Sequence, residues 1–391
     1  MECKSHFDYK ELRFYCTFHC RNCSSVHVSV HVAAKNGRVD LLMNLVPKLN
    51  ERNPKDDDGI TPLHLAATYG HLDAVKYLWG NITDMHPKAG PKFHQQTPLH
   101  SAAIGGHFQV VKFLVESIEG NINPSLSNGQ TVLHLAAAYG HLEIVSFYTS
   151  QFYINPGQCS EDEFEGKTPL HYAAQEGKLS VVRHFCSLLS KNPNPMDANG
   201  DTPLHLAARF GHYKVVTFYT EKLKIVNPAK ESTSFRGRTP FHNAAQKGHN
   251  RIVQYFCQLD DKNPPDEYGY TPLHLAAENG HFGAVKIIAD CLEDKHPKSY
   301  TKVTPANLAK EAGHFHIANF LWHGSDGLDL ENDLTVRKRS TRKPRSRYQS
   351  PLKMISGIFR TKSLTPQKAR KTKKATFKCY SDSAAGSFDF D

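Results

Sequence analysis

Thr61-Pro62-Leu63-His64-Leu65-Ala66-Ala67-Thr68-Tyr69-Gly70-His71 decides the fold, because the phrase returns along the whole chain. It opens again almost unchanged at Thr202 and Thr271, and more loosely at Thr97, Thr131, Thr168 and Thr239. A degenerate copy begins at Val28 and a last one at Thr304, giving nine units at steps of 32 to 37 residues. A period of that size belongs to stacked repeats, in which each unit buries its apolar face only against its neighbours.

Each position in the phrase has a physical reason. Thr61 is a helix N-cap, and Pro62 suits the first helical position, where no amide is needed. His64 sits three residues after the cap, where its ring can reach back as the Glu of a capping box does. Ala66 and Ala67 are small enough for neighbouring helices to approach closely. Gly70 ends the helix in the left-handed region, and His71 begins the turn into a second helix over 72–79. Val75 and Leu78, three apart, mark that helix's inner face. Asp58-Gly59 is a turn signal, which places a hairpin between units.

These residues resemble the ankyrin repeat, over residues 28–322 or about three quarters of the chain. The resemblance implies an all-α solenoid of helix pairs with hairpin fingers. The array would occupy residues 24–323, after a divergent segment 1–23 and before a disordered basic tail, 324–391. It further implies protein–protein binding without catalysis, on the surface made by inner helices and finger tips. One departure is the absence of the family's Leu-Leu-x-x-Gly-Ala ending, replaced by variable loops such as residues 79–96.

A second period overlies the first. Asn53-Pro54, Asn123-Pro124, Asn194-Pro195 and Asn263-Pro264 each stand eight residues before a unit, and only in alternate units. That pairing suggests growth by duplication of two-unit blocks, with a partner-contacting feature in every second unit. The last unit carries Asn307 for His and Lys310 for Ala, as an end repeat facing water requires.

Binding candidates fall just before the repeat glycine and at the finger tips. Tyr69, Tyr139 and Phe210 form an expected aromatic row in alternate units, with Arg209 beside the last. Exposed aromatics are favoured interface anchors. Asp57, Lys92, Glu165, Arg236 and Tyr268 occupy the tips and vary in character, as partner-reading residues do. Fifteen of the 24 histidines belong to the repeat phrase and read as structural. Cys16, Cys20 and Cys23, with His19 and Cys3, have spacings that can reach one zinc ion, or else belong to a divergent cap. No phosphate loop, nucleophile elbow or His-Glu-x-x-His occurs, and neither an enzyme nor a cofactor is expected.

The net charge of +10 is unevenly spread. Residues 337–378 hold 16 Lys or Arg and no Asp or Glu, which leaves 32 basic against 38 acidic residues elsewhere. Arg337, Lys338, Arg339, Arg342 and Lys343, then Arg370, Lys371, Lys373 and Lys374, resemble a nuclear-import signal. The same charges suit nucleic acid or an acidic membrane. Ser340, Ser350 and Ser363 follow an Arg by three residues, while Ser350 and Thr365 precede Pro, so all four are candidate phosphosites. With no signal peptide or apolar span in view, the expectation is a monomeric cytoplasmic or nuclear adaptor.

Overall fold

The computed structural model describes residues 25–49, 51–82, 84, 87–155, 157, 166–225, 237–259 and 262–324. Among them, eighteen α-helices form nine successive pairs, and β-structure is limited to one isolated bridge between Ser125 and Thr131. The inner helices of repeats 1 to 9 are Ser25–Lys35, Pro62–Thr68, Pro98–Gly105, Val132–Tyr139, Pro169–Gln175, Pro203–Phe210, Pro240–Lys247, Pro272–Glu278 and Pro305–Glu311. Their outer partners are Val39–Leu45, Leu72–Trp79, Phe108–Ser117, Leu142–Gln151, Leu179–Leu188, Tyr213–Thr217, Asn250–Phe256, Phe282–Cys291 and Phe315–His323. The all-α solenoid expected from the phrase is what the chain forms.

Inner helices of two turns would not persist alone in water. The repeat phrase supplies what they lack. In repeat 2 the His64 ring accepts the Thr61 amide on Nδ1 at 3.2 Å, while the His64 amide lies 3.4 Å from the Thr61 hydroxyl. The same capping box occurs in repeats 3 to 8. Because Nδ1 accepts, the neutral ring carries its proton on Nε2. That proton goes to the next repeat: His64 donates to the Gln96 carbonyl at 2.9 Å, and His205 to the Arg238 carbonyl at 2.9 Å. One side chain thus closes its own helix and joins the following unit.

The histidine after the glycine works in the opposite direction. His107 Nε2 lies 2.9 Å from the Thr68 carbonyl of the preceding repeat, and His71 meets Lys35 in the same way. His141, His212, His249 and His281 repeat the contact with Ile104, Gln175, Arg209 and Gln246. Each ring satisfies a carbonyl left open at a helix C-terminus. Each boundary from repeat 1 to repeat 8 therefore carries a forward and a backward histidine bond, except that Lys178 stands in the backward position of repeat 5.

Beneath these bonds runs a continuous core. Leu63, Ala66, Ala67, Val75 and Leu78 are fully buried, and their equivalents in repeats 3 to 8 are buried as well. Tyr148 and Tyr219 are also fully buried, and their hydroxyls donate to the Ile122 and Pro193 carbonyls at 2.8 and 3.2 Å. Cys186 packs beside Tyr219, and burial pushes its thiol up to about 11. At the last repeat the pattern stops. Asn307 is exposed where internal repeats bury His, and Lys310 lies 5.5 Å over the Trp322 ring.

Candidate functional site

The surface beside the repeat glycines is built on the last turn of each inner helix. Tyr69 is half-buried, with Lys35 Nζ 5.5 Å from its ring centroid. Tyr139 is also half-buried and lies parallel to the His141 ring at 6.2 Å. Phe210 differs, with 48% of its surface exposed. Its neighbour Arg209 is held by the largely buried Asp201 carboxylate at 2.7 Å. The two tyrosines rest on a preceding-repeat ammonium and a histidine ring, while Phe210 offers an open face next to a fixed guanidinium.

The fingers are short hairpins closed by backbone bonds such as Asp56 N–H to the Ile60 carbonyl, 2.9 Å, and Asp266 N–H to the Tyr270 carbonyl, 2.7 Å. In each of these two the aspartate Oδ1 also accepts two amides of its own turn. Asp57 is exposed at one tip. Lys92 is exposed at the next, with Nζ 3.3 Å from Asp58 and 5.7 Å over the Phe93 ring. Such an exposed pair contributes little to stability. Tyr268 is 46% exposed, and its carbonyl accepts the amide of Tyr300, itself 72% exposed on the adjacent finger.

The residue before each cap threonine adds a feature that the repeat reading passed over. Lys167, Asp201 and Arg238 occupy this position in successive repeats, alternating in sign. Asp201 pairs with Arg209, and Arg238 with the buried Asp266 at 3.6 Å. Burial, reinforced by the charge of Asp201, pushes the Asp197 carboxyl up to about 6. Reading only the residues before the repeat threonines would have exposed this row of charges.

The Asn-Pro pairs turn out to be part of the skeleton. The side-chain oxygens of Asn53, Asn123, Asn194 and Asn263 accept the amides of Leu63, Leu133, Leu204 and Leu273 at 3.1 to 3.4 Å. In repeats 2, 6 and 8 this completes the first turn. Proline at the first position has no amide, Asn takes the second, and the threonine hydroxyl faces the third. The recurrence in alternate units is therefore a capping device. Asn194→Ala should lower unfolding free energy by about 1 kcal/mol, the usual worth of a cap. Urea denaturation checks this, and an unchanged midpoint would contradict it.

Burial also fixes the state of the phrase histidines. It pushes His64, His100 and His134 down to about 4, and His171 and His242 to about 3. They are neutral hydrogen-bonding groups at physiological pH. Among the described residues no three His, Cys, Asp or Glu side chains are grouped to hold a metal, and no helix is long and apolar enough to cross a membrane. Glu165 and Arg236 lie outside the described residues, as do the Cys3, Cys16, His19, Cys20 and Cys23 group and segment 1–23. The same holds for the tail beyond Gly324, including its expected disorder, the basic residues from Arg337 to Lys374 and the four candidate phosphosites.

A family model for ankyrin repeats (3 copies) matches the chain over residues 30–125, 82–155, 148–227 and 219–299. Protein phosphatase 1 regulatory subunit 12A of Mus musculus, and the same protein of Rattus norvegicus, are 40% identical to the chain over 65 residues. That match covers 17% of this chain and 6% of the length of those relatives.

Proposed function

The chain belongs to the ankyrin-repeat family, and on that premise we propose that it is a non-enzymatic adaptor holding a protein partner along its inner helices and fingers. The observation that carries this reading is the pairing of an exposed Phe210 with an Arg209 fixed by Asp201. Aromatic and arginine side chains dominate interface energetics, and a guanidinium already held in place loses little entropy on binding. The skeleton supports the same reading, since its histidines are committed to joining repeats. Similarity to a protein named as a regulatory subunit also fits a binding role. In this reading Tyr69 and Tyr139 extend the contact, and Asp57, Lys92, Glu165, Arg236 and Tyr268 read the partner at the tips.

A triple Tyr69→Ala, Tyr139→Ala, Phe210→Ala variant tests it. Proximity labelling in cells should lose a defined subset of neighbours while circular dichroism stays helical. Identical neighbour sets for both proteins would make these aromatics structural.

The 16 basic residues of 337–378 support a second element of the proposal, an address or auxiliary contact. Charge of that density suits nuclear import, nucleic acid or acidic lipid, with affinity that falls as salt rises. Residues 324–391 fused to a fluorescent protein should concentrate in the nucleus. A diffuse signal would remove both nuclear and lipid versions.

A further inference from the structure

Repeats 1 and 9 reveal which repeat positions face backward and which forward. Thirteen residues after each unit start stand Ala74, Val110, Ile144, Val181, Val215, Ile252, Ala284 and Ile317, all at most 1% exposed. Ile317 belongs to the last repeat, so burial at this position needs no following unit. Leu41 holds the same position in repeat 1 and is 41% exposed. The position therefore packs against the preceding repeat, which repeat 1 lacks. The residue four after the start behaves alike: Asn243 reaches back to the His205 carbonyl, and Tyr172 packs edge-on against His134. In repeat 1 this residue is Val32, 37% exposed. Leu45 is half-buried, whereas Leu78, Leu114, Tyr148 and Phe185 at its position are fully buried.

A second feature extends this face. Fifteen residues after the start, the eight later repeats carry Lys76, Lys112, Ser146, Arg183, Thr217, Gln254, Lys286 and Asn319. Repeat 1 alone places an apolar residue there, Met43, and it is 56% exposed. An uncapped solenoid end should show water polar side chains. This end instead presents Val32, Leu41, Met43 and Leu45 together with a site-specific change from polar to apolar.

We propose that residues 1–24 of the same chain cover this face, acting as an aromatic N-terminal cap. The segment joins the first helix directly at Ser25, so its local concentration at the face is high. It holds Phe7, Tyr9, Leu12, Phe14, Tyr15 and Phe18. In a helix the spacing of Phe7, Phe14 and Phe18 puts three rings on one side, with Tyr15 at its edge. Twenty-four residues suffice for a single helix and its connection. The first inner helix is also longer than the others, 11 residues, and has no Thr-Pro start to turn the chain into a finger.

The test uses the full-length chain with a photo-crosslinking phenylalanine analogue in place of Met43. Irradiation should give an intramolecular product joining position 43 to a peptide from residues 1–24. A product of doubled mass would instead assign the face to a second copy, and absence of either product would also overturn the proposal. In parallel, a Phe7→Ser, Phe14→Ser, Phe18→Ser variant should accelerate hydrogen exchange of the Val39–Leu45 amides by about tenfold, with repeats 4 to 9 unchanged. Unchanged exchange in that helix would count against the cap independently of crosslinking yield.

Discussion

Acidification is expected to unfold the repeat array cooperatively between about pH 6 and pH 5, well above the range in which carboxylates normally titrate. The cause is the set of forward histidines. Desolvation depresses His64, His100, His134, His171 and His242 to about 4 or 3, and lowers His205 and His274 as well. In the unfolded chain each titrates near its ordinary value of 6.5. Above that value the ring is neutral in both states and stability does not depend on it. Below it the unfolded state binds the proton first, so stability falls with pH until the folded value is reached. At pH 5 each of the five strongly depressed rings should remove about 2 kcal/mol, which sums to about 10 and rivals the stability of a whole domain. Asp197 opposes the trend, because its raised carboxyl gains a proton more readily when folded. Its relief at pH 5 is smaller than the loss from one histidine. Circular dichroism and thermal melts from pH 7.5 to 4.5 check the expectation. A melting temperature flat down to pH 5 would mean the rings are charged or exposed in the folded state.

The same histidines show where sequence reading succeeds and where it stops. The capping box was legible because donor and acceptor lie three residues apart, within one phrase. Nine units followed from the period, their helix pairs from the phrase and its resemblance to the ankyrin repeat, and the left-handed glycines from their place after each inner helix. The bonds between repeats span 24 to 40 residues and depend on how far one unit turns against the next. No local pattern encodes that rotation. His107 could therefore be placed at the start of a helix without its acceptor, Thr68, being foreseen. The period marks Asn194, but the orphan amide it satisfies sits ten residues away across a finger. At the candidate surface the aromatic positions were legible and their exposures were not. Tyr139 lies parallel to a neighbouring ring and Phe210 is open, a difference set by the side chains around each position. The charge alternation of Lys167, Asp201 and Arg238 lies outside the repeat phrase, at a position whose residue type varies from unit to unit, so no recurring pattern marks it.

Gly70→Ala should cost about 3 kcal/mol, whereas Gly313→Ala at the equivalent position of the last repeat should cost about 1. Both glycines are left-handed, at φ +77° and +88°, so the backbone penalty of adding a side chain is shared. What differs is the space. A Cβ on Gly70 would stand 2.3 Å from His107 Nδ1 and 2.5 Å from its Cγ, while Gly313 has nothing within 4 Å. The His107 ring cannot withdraw without giving up its bond to the Thr68 carbonyl, which would leave that helix end unsatisfied. The difference of about 2 kcal/mol thus measures one backward bond and its clearance. A double variant, Gly70→Ala with His107→Ala, separates the two contributions. Removing the ring abolishes the clash, so the double change should cost less than the sum of the single ones. Urea denaturation of the parent protein and of the four variants, His107→Ala among them, supplies the comparison. Equal losses for Gly70→Ala and Gly313→Ala, or strict additivity in the double variant, would show that the glycine is required for its backbone angle alone and that the ring of the next repeat has room to move.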